Sequence, residues 1–216
     1  ADIVLAYKSD NVLNNEIGIK TLLMDGKMRL NATWYSIEWT DIQVSQFDPV
    51  HVNFITFIEN AADADISGLE ADMLYYPSDS LTISAAISLN DTEIVNDVAQ
   101  TIPIVDIGNP LPLAPKRQGN VRIRKDLSSN QSYFQAAVKY ASSTYNSFEA
   151  AKVLDQSAYT IVDFAYGLTI NDVDVEFFIR NANDERANLY YNDQDDIPRI
   201  TTNRPRNMGV RMSYIF

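Results

Sequence analysis

Glu70 and Asp72, two carboxylates separated by one residue in this 216-residue sequence, could in principle do acid–base chemistry. On an extended strand residues i and i+2 project from the same side, so both acids would face one substrate or one cation. The same spacing serves for pairing with Arg and Lys of neighbouring strands, which is the favoured role. Asp193, Asp195 and Asp196 form a dense acidic run, but the fixed Gly and Glu of a calcium loop are missing, so a solvated run is favoured. His51 is the only histidine, beside Pro49 in a polar connection, and there are no cysteines. Zinc chemistry therefore lacks ligands, disulfides are ruled out, and no Ser/His/Asp set exists for a hydrolase. These residues imply no catalytic group, no cofactor and no metal. The remaining candidates are aromatics in the connections, Phe47, Phe54, Tyr145, Phe148, Tyr190 and Tyr191. They could stack on a ligand or anchor at an interface.

Charge and hydropathy narrow the class. The formal net charge is −12, which argues against nucleic acid, whose binders cluster Lys and Arg on phosphates. No stretch approaches the roughly 18 consecutive apolar residues of a spanning helix, yet alternating barrel strands would escape such a window. The N-terminus, Ala1 to Lys8, lacks the basic-then-apolar layout of a secretory signal. An exported protein would thus be represented here in mature or truncated form.

Strands must position these residues. The final stretch, 205–216, alternates Val210, Met212, Tyr214 and Phe216 with Gly209, Arg211 and Ser213, and it ends on an aromatic. That is a strand with one apolar and one polar side. Leu81, Ile83, Ala85, Ile87 and Leu89 alternate with Thr82, Ser84, Ala86, Ser88 and Asn90 in the same way. Continuing along the chain gives roughly nine antiparallel strands in a meander, with a bulge expected near Ser36–Glu38 and at most a helical turn near Glu185–Leu189. The connections sort by length. Those at 25–27, 77–80, 127–130 and 171–172 are tight, while 44–54, 93–114, 146–156 and 182–204 are long.

Such sorting suits an outer-membrane barrel, with short periplasmic turns and long extracellular loops, better than a Greek-key sandwich. Glu16, Lys20, Glu70, Asp72, Arg122, Lys139, Asp163, Glu176 and Arg211 all fall opposite the apolar residues and are expected to face the lumen. Tyr75, Tyr214 and Phe216 would form one aromatic girdle, and Trp39, Tyr140, Tyr145 and Tyr159 the other. Two alternatives stay open. One is a smaller barrel, for instance a ten-stranded enzyme using residues 3–7 as an extra strand. The other is a soluble β-sandwich of the lectin or adhesin kind.

Several stretches resemble a known family. Asn15-Glu16-Ile17-Gly18-Ile19-Lys20, the hairpin strand Gly26-Lys27-Met28-Arg29-Leu30, and Asn60-Ala61-Ala62-Asp63-Ala64 leading to Gly68-Leu69-Glu70 are similar to successive barrel segments of TonB-dependent receptors. Leu111-Pro112-Leu113-Ala114-Pro115-Lys116, Asn181-Ala182-Asn183-Asp184-Glu185-Arg186 and Arg204-Pro205-Arg206 follow in family order. Asn15 replaces the family's usual aromatic, and Ser9-Asp10 stands where a Pro-Glu pair is common.

The resemblance implies an antiparallel transmembrane β-barrel segment, all-β, of about nine strands out of about 22. Residues 1–216 would then be the C-terminal portion of the barrel, with the plug domain and TonB box absent. It further implies an active-transport receptor, not an enzyme, for a scarce solute such as a ferric siderophore, cobalamin or an oligosaccharide. Its partners would be outer-membrane lipid, the TonB complex acting through the missing part, and the barrel-assembly machinery. Val210, Met212, Tyr214 and Phe216 would be the signal that machinery reads, with the edge of 205–216 pairing with the first strand of the whole barrel. An odd number of strands cannot close by itself, so the segment is expected not to fold or transport alone.

Overall fold

A computed structural model describes residues 7–47, 56–99, 106–127, 131–148, 154–192 and 199–214. Thirteen strands form in chain order: β1 (Asn11–Leu23), β2 (Met28–Phe47), β3 (Thr56–Ser78), β4 (Leu81–Asp97), β5 (Arg117–Leu127), β6 (Ser132–Ala141), β7 (Thr144–Tyr145), β8 (Asp155–Gln156), β9 (Tyr159–Ile170), β10 (Val173–Arg180), β11 (Asn188–Asn192), β12 (Arg199–Thr202) and β13 (Asn207–Tyr214). Nine of them build one antiparallel sheet in the order β1-β2-β3-β4-β5-β6-β9-β10-β13. The pairs β7–β8 and β11–β12 are small separate ribbons within the long connections. The two-layered sandwich is not formed, and β1 and β13 lie at the two edges of the sheet.

Register turns the alternation of single strands into continuous faces. Leu23, Met28, Tyr75, Ile83, Ile123, Ala136, Phe164, Ile179 and Met208 pair in succession across all nine strands without a polar member. The next rows on that side are apolar but for Thr21 and Thr160 at their ends, up to Ile17–Trp34–Leu69–Leu89, where the row ends at Arg117. Ile17 is 71% and Met212 70% exposed, so among the described residues no protein layer covers this face. A soluble domain does not leave a face of this extent bare.

The belt has a sharp upper limit. One step above Ile17–Trp34 the same side carries Asn15, Ser36, Ser67 and Asp91, and one step further Leu13, Glu38, Asp65 and Glu93. This corrects the expected bulge near Ser36–Glu38. The pairing there is regular, and the pattern blurs because the strand has left the apolar belt. The true irregularity follows Trp39, where Asp41 takes φ 56° and the register shifts before Ile42. The shift places Ile42 with Trp39 on the polar side of the sheet.

Above the belt that side acquires its own small core. Ile42, Ala61, Ala62, Ala64, Ile94 and Leu111 are buried together, with Trp39, Ile66, Ala114 and Phe148 packed against them. Leu111 comes from the connection after β4, which folds back over the sheet. Ile94 N–H donates to Asn109 O at 2.8 Å, Gly108 N–H donates to Ile94 O at 2.8 Å, and Leu111 N–H donates to Thr92 Oγ1 at 2.9 Å. This explains how β2 and β3, of 20 and 23 residues, outreach the ~9–11 residues that a bilayer needs. Trp39 therefore belongs to this core and not to a girdle. Tyr159 likewise falls on the polar side, paired with Ala141, leaving Tyr140 and Trp34 to mark the upper limit of the apolar belt. The expected turn of helix near Glu185–Leu189 is not formed: 185–187 has no regular secondary structure and β11 begins at Asn188.

Candidate functional site

The polar face is the surface able to meet a solute or another domain. The register places Glu16, Lys20, Glu70, Asp72, Arg122, Lys139, Asp163, Glu176 and Arg211 on it, opposite the apolar rows. One row runs Lys20–Asn31–Asp72–Ala86–Asn120–Lys139. Asn31 Nδ2 donates to both Asp72 carboxylate oxygens, at 3.1 and 3.0 Å, which ties Asp72 down as an acceptor. Glu70 sits one row away, paired with Thr33 and Ser88. The two acids flank a concavity of about 530 Å³ whose other walls include Asn31, Ser88, Asn120 and Lys139. Amide, hydroxyl and carboxylate groups there share the lining with apolar ones such as Ile87 and Ile161. Among the described residues no group of His, Asp and Glu side chains is placed to hold a metal.

Nearer the short turns the face is held by an aromatic and ionic chain. Tyr133 on β6 donates through its hydroxyl to Glu176 Oε2 on β10 at 2.7 Å. Glu176 Oε1 accepts Arg211 Nη1 from β13 at 3.0 Å, and the Arg124 guanidinium lies 3.6 Å over the Tyr133 ring. Arg124 Nε in turn donates to Asp126 at 2.9 Å. Tyr133 can span two strands because its partner on the strand between is Gly167, where any Cβ would overlap the ring. The arrangement recurs: Tyr35 crosses Gly68 on β3 and its hydroxyl donates to Asn90 Oδ1 on β4. A third aromatic, Phe178, lies on Gly209, whose added Cβ would sit 2.8 Å from the ring. Sequence alternation alone missed these pairs. The available signal was an aromatic on the polar face whose register partner is glycine.

The long-loop end of the last hairpin is closed by an amide clamp built from two of the sequence stretches noted above. Asn181, 4% exposed and at φ 52°, accepts Glu185 N–H at 2.9 Å and donates to Glu185 O at 3.0 Å and Arg204 O at 2.9 Å. Asn203 accepts Ala187 N–H at 2.8 Å and donates to the same two carbonyls. Asp184 accepts Arg206 N–H at 2.9 Å, which, with the charges of Arg186 and Arg206, holds its carboxyl below the usual range. Asp163 joins this clamp to the polar face: it accepts Asn181 N–H at 2.8 Å and lies 3.7 Å from Lys139 Nζ. Backbone groups that would otherwise be orphaned where β10 ends are thereby paired.

The loop aromatics divide. Tyr145 pairs with Asp155 in the β7–β8 ribbon, its backbone carbonyl accepts Leu113 N–H at 2.8 Å, and burial pushes its phenol up. Phe148 packs on the small upper core. Tyr190 and Tyr191 pair with Thr201 and Ile200 in the β11–β12 ribbon, Tyr190 being 43% exposed. Tyr145, Phe148, Tyr190 and Tyr191 do not line one common pocket among the described residues, and Phe47 ends β2. Phe54, His51, the Asp193–Asp196 run, Phe216 and most of the expected strand at 3–7 lie outside the described residues. Val210, Met212 and Tyr214 share the apolar side of β13, opposite Phe177, Val175 and Val173.

A single meandering sheet with one bare apolar belt, one hydrogen-bonded polar face and loops sorted by length is the wall of a membrane β-barrel. The sequence matches the family described as TonB dependent receptor-like, beta-barrel, over residues 6–182, and the chain belongs to that family. Its place is accordingly the bacterial outer membrane, and its relatives there are receptors, not enzymes. No curated protein matches the sequence significantly. Solved structures share the fold. The ferric yersiniabactin uptake receptor FyuA from Yersinia pestis superposes with a TM-score of 0.78 at 17% identity, covering 95% of this chain and 30% of that one. The siderophore receptor PiuA from Acinetobacter baumannii gives 0.75 at 21% identity, with 93% and 28% covered. The pyoverdine receptor FpvA from Pseudomonas aeruginosa gives 0.72 at 14% identity, with 96% and 30% covered. The chain thus spans about a third or less of the length of these structures.

Proposed function

We propose that this chain is the C-terminal wall segment of a TonB-energised outer-membrane receptor that imports a ferric siderophore. The observation that carries the reading is the two-faced nine-stranded sheet: its apolar belt meets lipid, and its Glu70–Asp72–Asn120–Lys139 face lines the lumen. A family match over 6–182 and siderophore receptors among the structural relatives support the solute class. In this reading the plug domain and the TonB-contacting segment belong to the rest of the receptor. The polar face, with Arg122 and Glu70 lacking ion-pair partners among the described residues, offers charges to that plug. The long connections at 44–54, 93–114, 146–156 and 182–204 stand outside the cell and contact the solute. Terminal residues 210–216 serve the assembly machinery.

The test is uptake of ⁵⁵Fe-loaded siderophores by cells that carry or lack the whole receptor gene, with and without a protonophore. Receptor-dependent uptake of one siderophore class that stops when the proton gradient collapses supports the reading. Receptor-dependent passage of solutes that ignores the gradient contradicts it, because it describes a passive pore.

A further inference from the structure

The polar face is divided by charge. Arg122 on β5 pairs with Ser84 on β4 and Ala137 on β6, and Ala137 pairs onward with Asp163 on β9. Lys139 stands two residues beyond Ala137 on the same side, and Arg180 on β10 follows Ile179, the register partner of Phe164. Three cations thus gather around the short side chain of Ala137, with Asp163 the carboxylate among them. Asp163 is already engaged: it lies 3.7 Å from Lys139 Nζ and accepts Asn181 N–H at 2.8 Å. Arg122 and Arg180 are exposed and have no ion-pair partner among the described residues. Arg180 instead lies 4.8 Å over the Phe178 ring. Arg124, one row nearer the short turns, differs, being held by Asp126 at 2.9 Å. The Ile83–Ile123–Ala136–Phe164–Ile179 row lies on the opposite side of the same strands, so the three cations sit at the depth of the apolar belt.

We propose that Arg122, Lys139 and Arg180 form an anion-binding waypoint inside the barrel, and that the transported solute is a negatively charged ferric chelate. The inference rests on the transport reading above and names the charge class of its solute. The chain has 29 acidic and 17 basic side chains, so carboxylates to neutralise these arginines are plentiful. The sheet nevertheless places acids on β3, as Glu70 and Asp72, and leaves two guanidiniums open beyond β4. Arg offers forked donors that match carboxylate or catecholate oxygens, and it keeps its charge at any working pH. A wall backed by lipid focuses that field into the lumen, which favours an anion and does little for a neutral chelate. Adjacent strands are about 4.8 Å apart, so the three steps from Arg122 to Arg180 span about 14 Å. A solute passing over Ala137 therefore meets all three cations. At rest the same arginines face the plug; they serve the solute when the plug yields.

The experiment uses cells carrying the whole receptor and two ⁵⁵Fe probes: a synthetic tris-catecholate, whose ferric complex is anionic, and a synthetic tris-hydroxamate, whose ferric complex is neutral. Wild type should import the anionic complex and not the neutral one. Arg122→Gln and Arg180→Gln should each lower the rate of anion import about ten-fold, the size of one lost charge-assisted pair. Binding to protonophore-treated cells should stay unchanged. Arg122→Lys should restore most of the rate, and Lys125→Gln, a cation of the same strand on the opposite face, should behave as wild type. Each variant must keep the heat-dependent gel shift of a folded barrel. Unchanged anion import in the folded arginine variants, even with leakage of a large dye, assigns them to the plug alone and overturns the waypoint. Loss of binding together with import overturns it too, because the arginines then belong to the outer binding site. Import of the neutral complex in place of the anionic one, or of neither, overturns the anionic assignment, and the siderophore uptake test above then judges the transport reading separately.

Discussion

Tyr133 lies flat on Gly167 and reaches across it to Glu176, so that one side chain ties β6 to β10 over the strand between them. The glycine is required for the reach, since a side chain at 167 would occupy the volume of the ring. Tyr35, Gly68 and Asn90 repeat the arrangement on β2, β3 and β4. On a wide, gently curved sheet with no second layer, such pairs supply packing that a core supplies elsewhere.

Gly167→Val should therefore lift the Tyr133 ring and break its bond to Glu176, costing about 1–3 kcal/mol through overpacking. Adding Tyr133→Ala to that variant should recover part of the loss, because the clash disappears with the ring. Urea unfolding of the receptor in detergent micelles, run as a double-mutant cycle, measures the coupling. Strictly additive effects would refute it.

Asn181 is placed to do more for the last hairpin than any charged residue near it. Asn181→Ala removes three hydrogen bonds and leaves alanine at φ 52°, so a cost of about 2–4 kcal/mol is expected. The local readout is faster protease cleavage within 185–204 while the barrel's gel shift persists. Cleavage at the wild-type rate would show that the clamp is dispensable.

The clamp should also respond to acid. Asp184 has its folded pKa lowered, first by the Arg206 N–H and then by the Arg186 and Arg206 charges. Its stabilisation is thus complete above the unfolded carboxylate value of about 3.9 and is lost as pH falls through the lower folded value. Protease protection of 185–204 should weaken across that acid range in wild type, and Asp184→Asn should flatten this dependence. An identical acid profile in both proteins would contradict the assignment.

Much of this was legible in the sequence, for physical reasons that name its limits. The face of each strand follows from period-two alternation, and the register sets the charged residues from Glu16 to Arg211 opposite the apolar rows. Phase was readable only inside the belt. Beyond it, Ser36 and Glu38 occupy the formerly apolar side because lipid no longer selects there, and Trp39 turns to the small upper core instead of a girdle. Aromatic–glycine contacts such as Tyr133 on Gly167 needed register, which one strand's pattern does not contain. The Asn181–Arg186 and Arg204–Arg206 stretches were visible as a resemblance, but their physical role as a clamp emerged only from the backbone groups they pair.

The two faces also differ in tolerance to charge. Val210→Arg puts a guanidinium on the apolar side of β13 and should cost about 2–4 kcal/mol if it lies near the bilayer midplane, whereas Ser213→Arg on the polar side should be close to neutral. Folding yield into lipid vesicles compares them directly, and equal penalties would argue against a lipid face.

The most direct measurement scans β13 for its two environments. These 216 residues have no cysteine, so single cysteines at 210, 211, 212 and 213 can each carry a spin label in the whole receptor, with any cysteine elsewhere in it replaced, reconstituted into bilayers. The account predicts alternation: labels at 210 and 212 relaxed by oxygen dissolved in lipid, labels at 211 and 213 by a water-soluble nickel chelate or shielded by the plug. Uniform access of the chelate to all four positions would contradict a membrane-barrel wall.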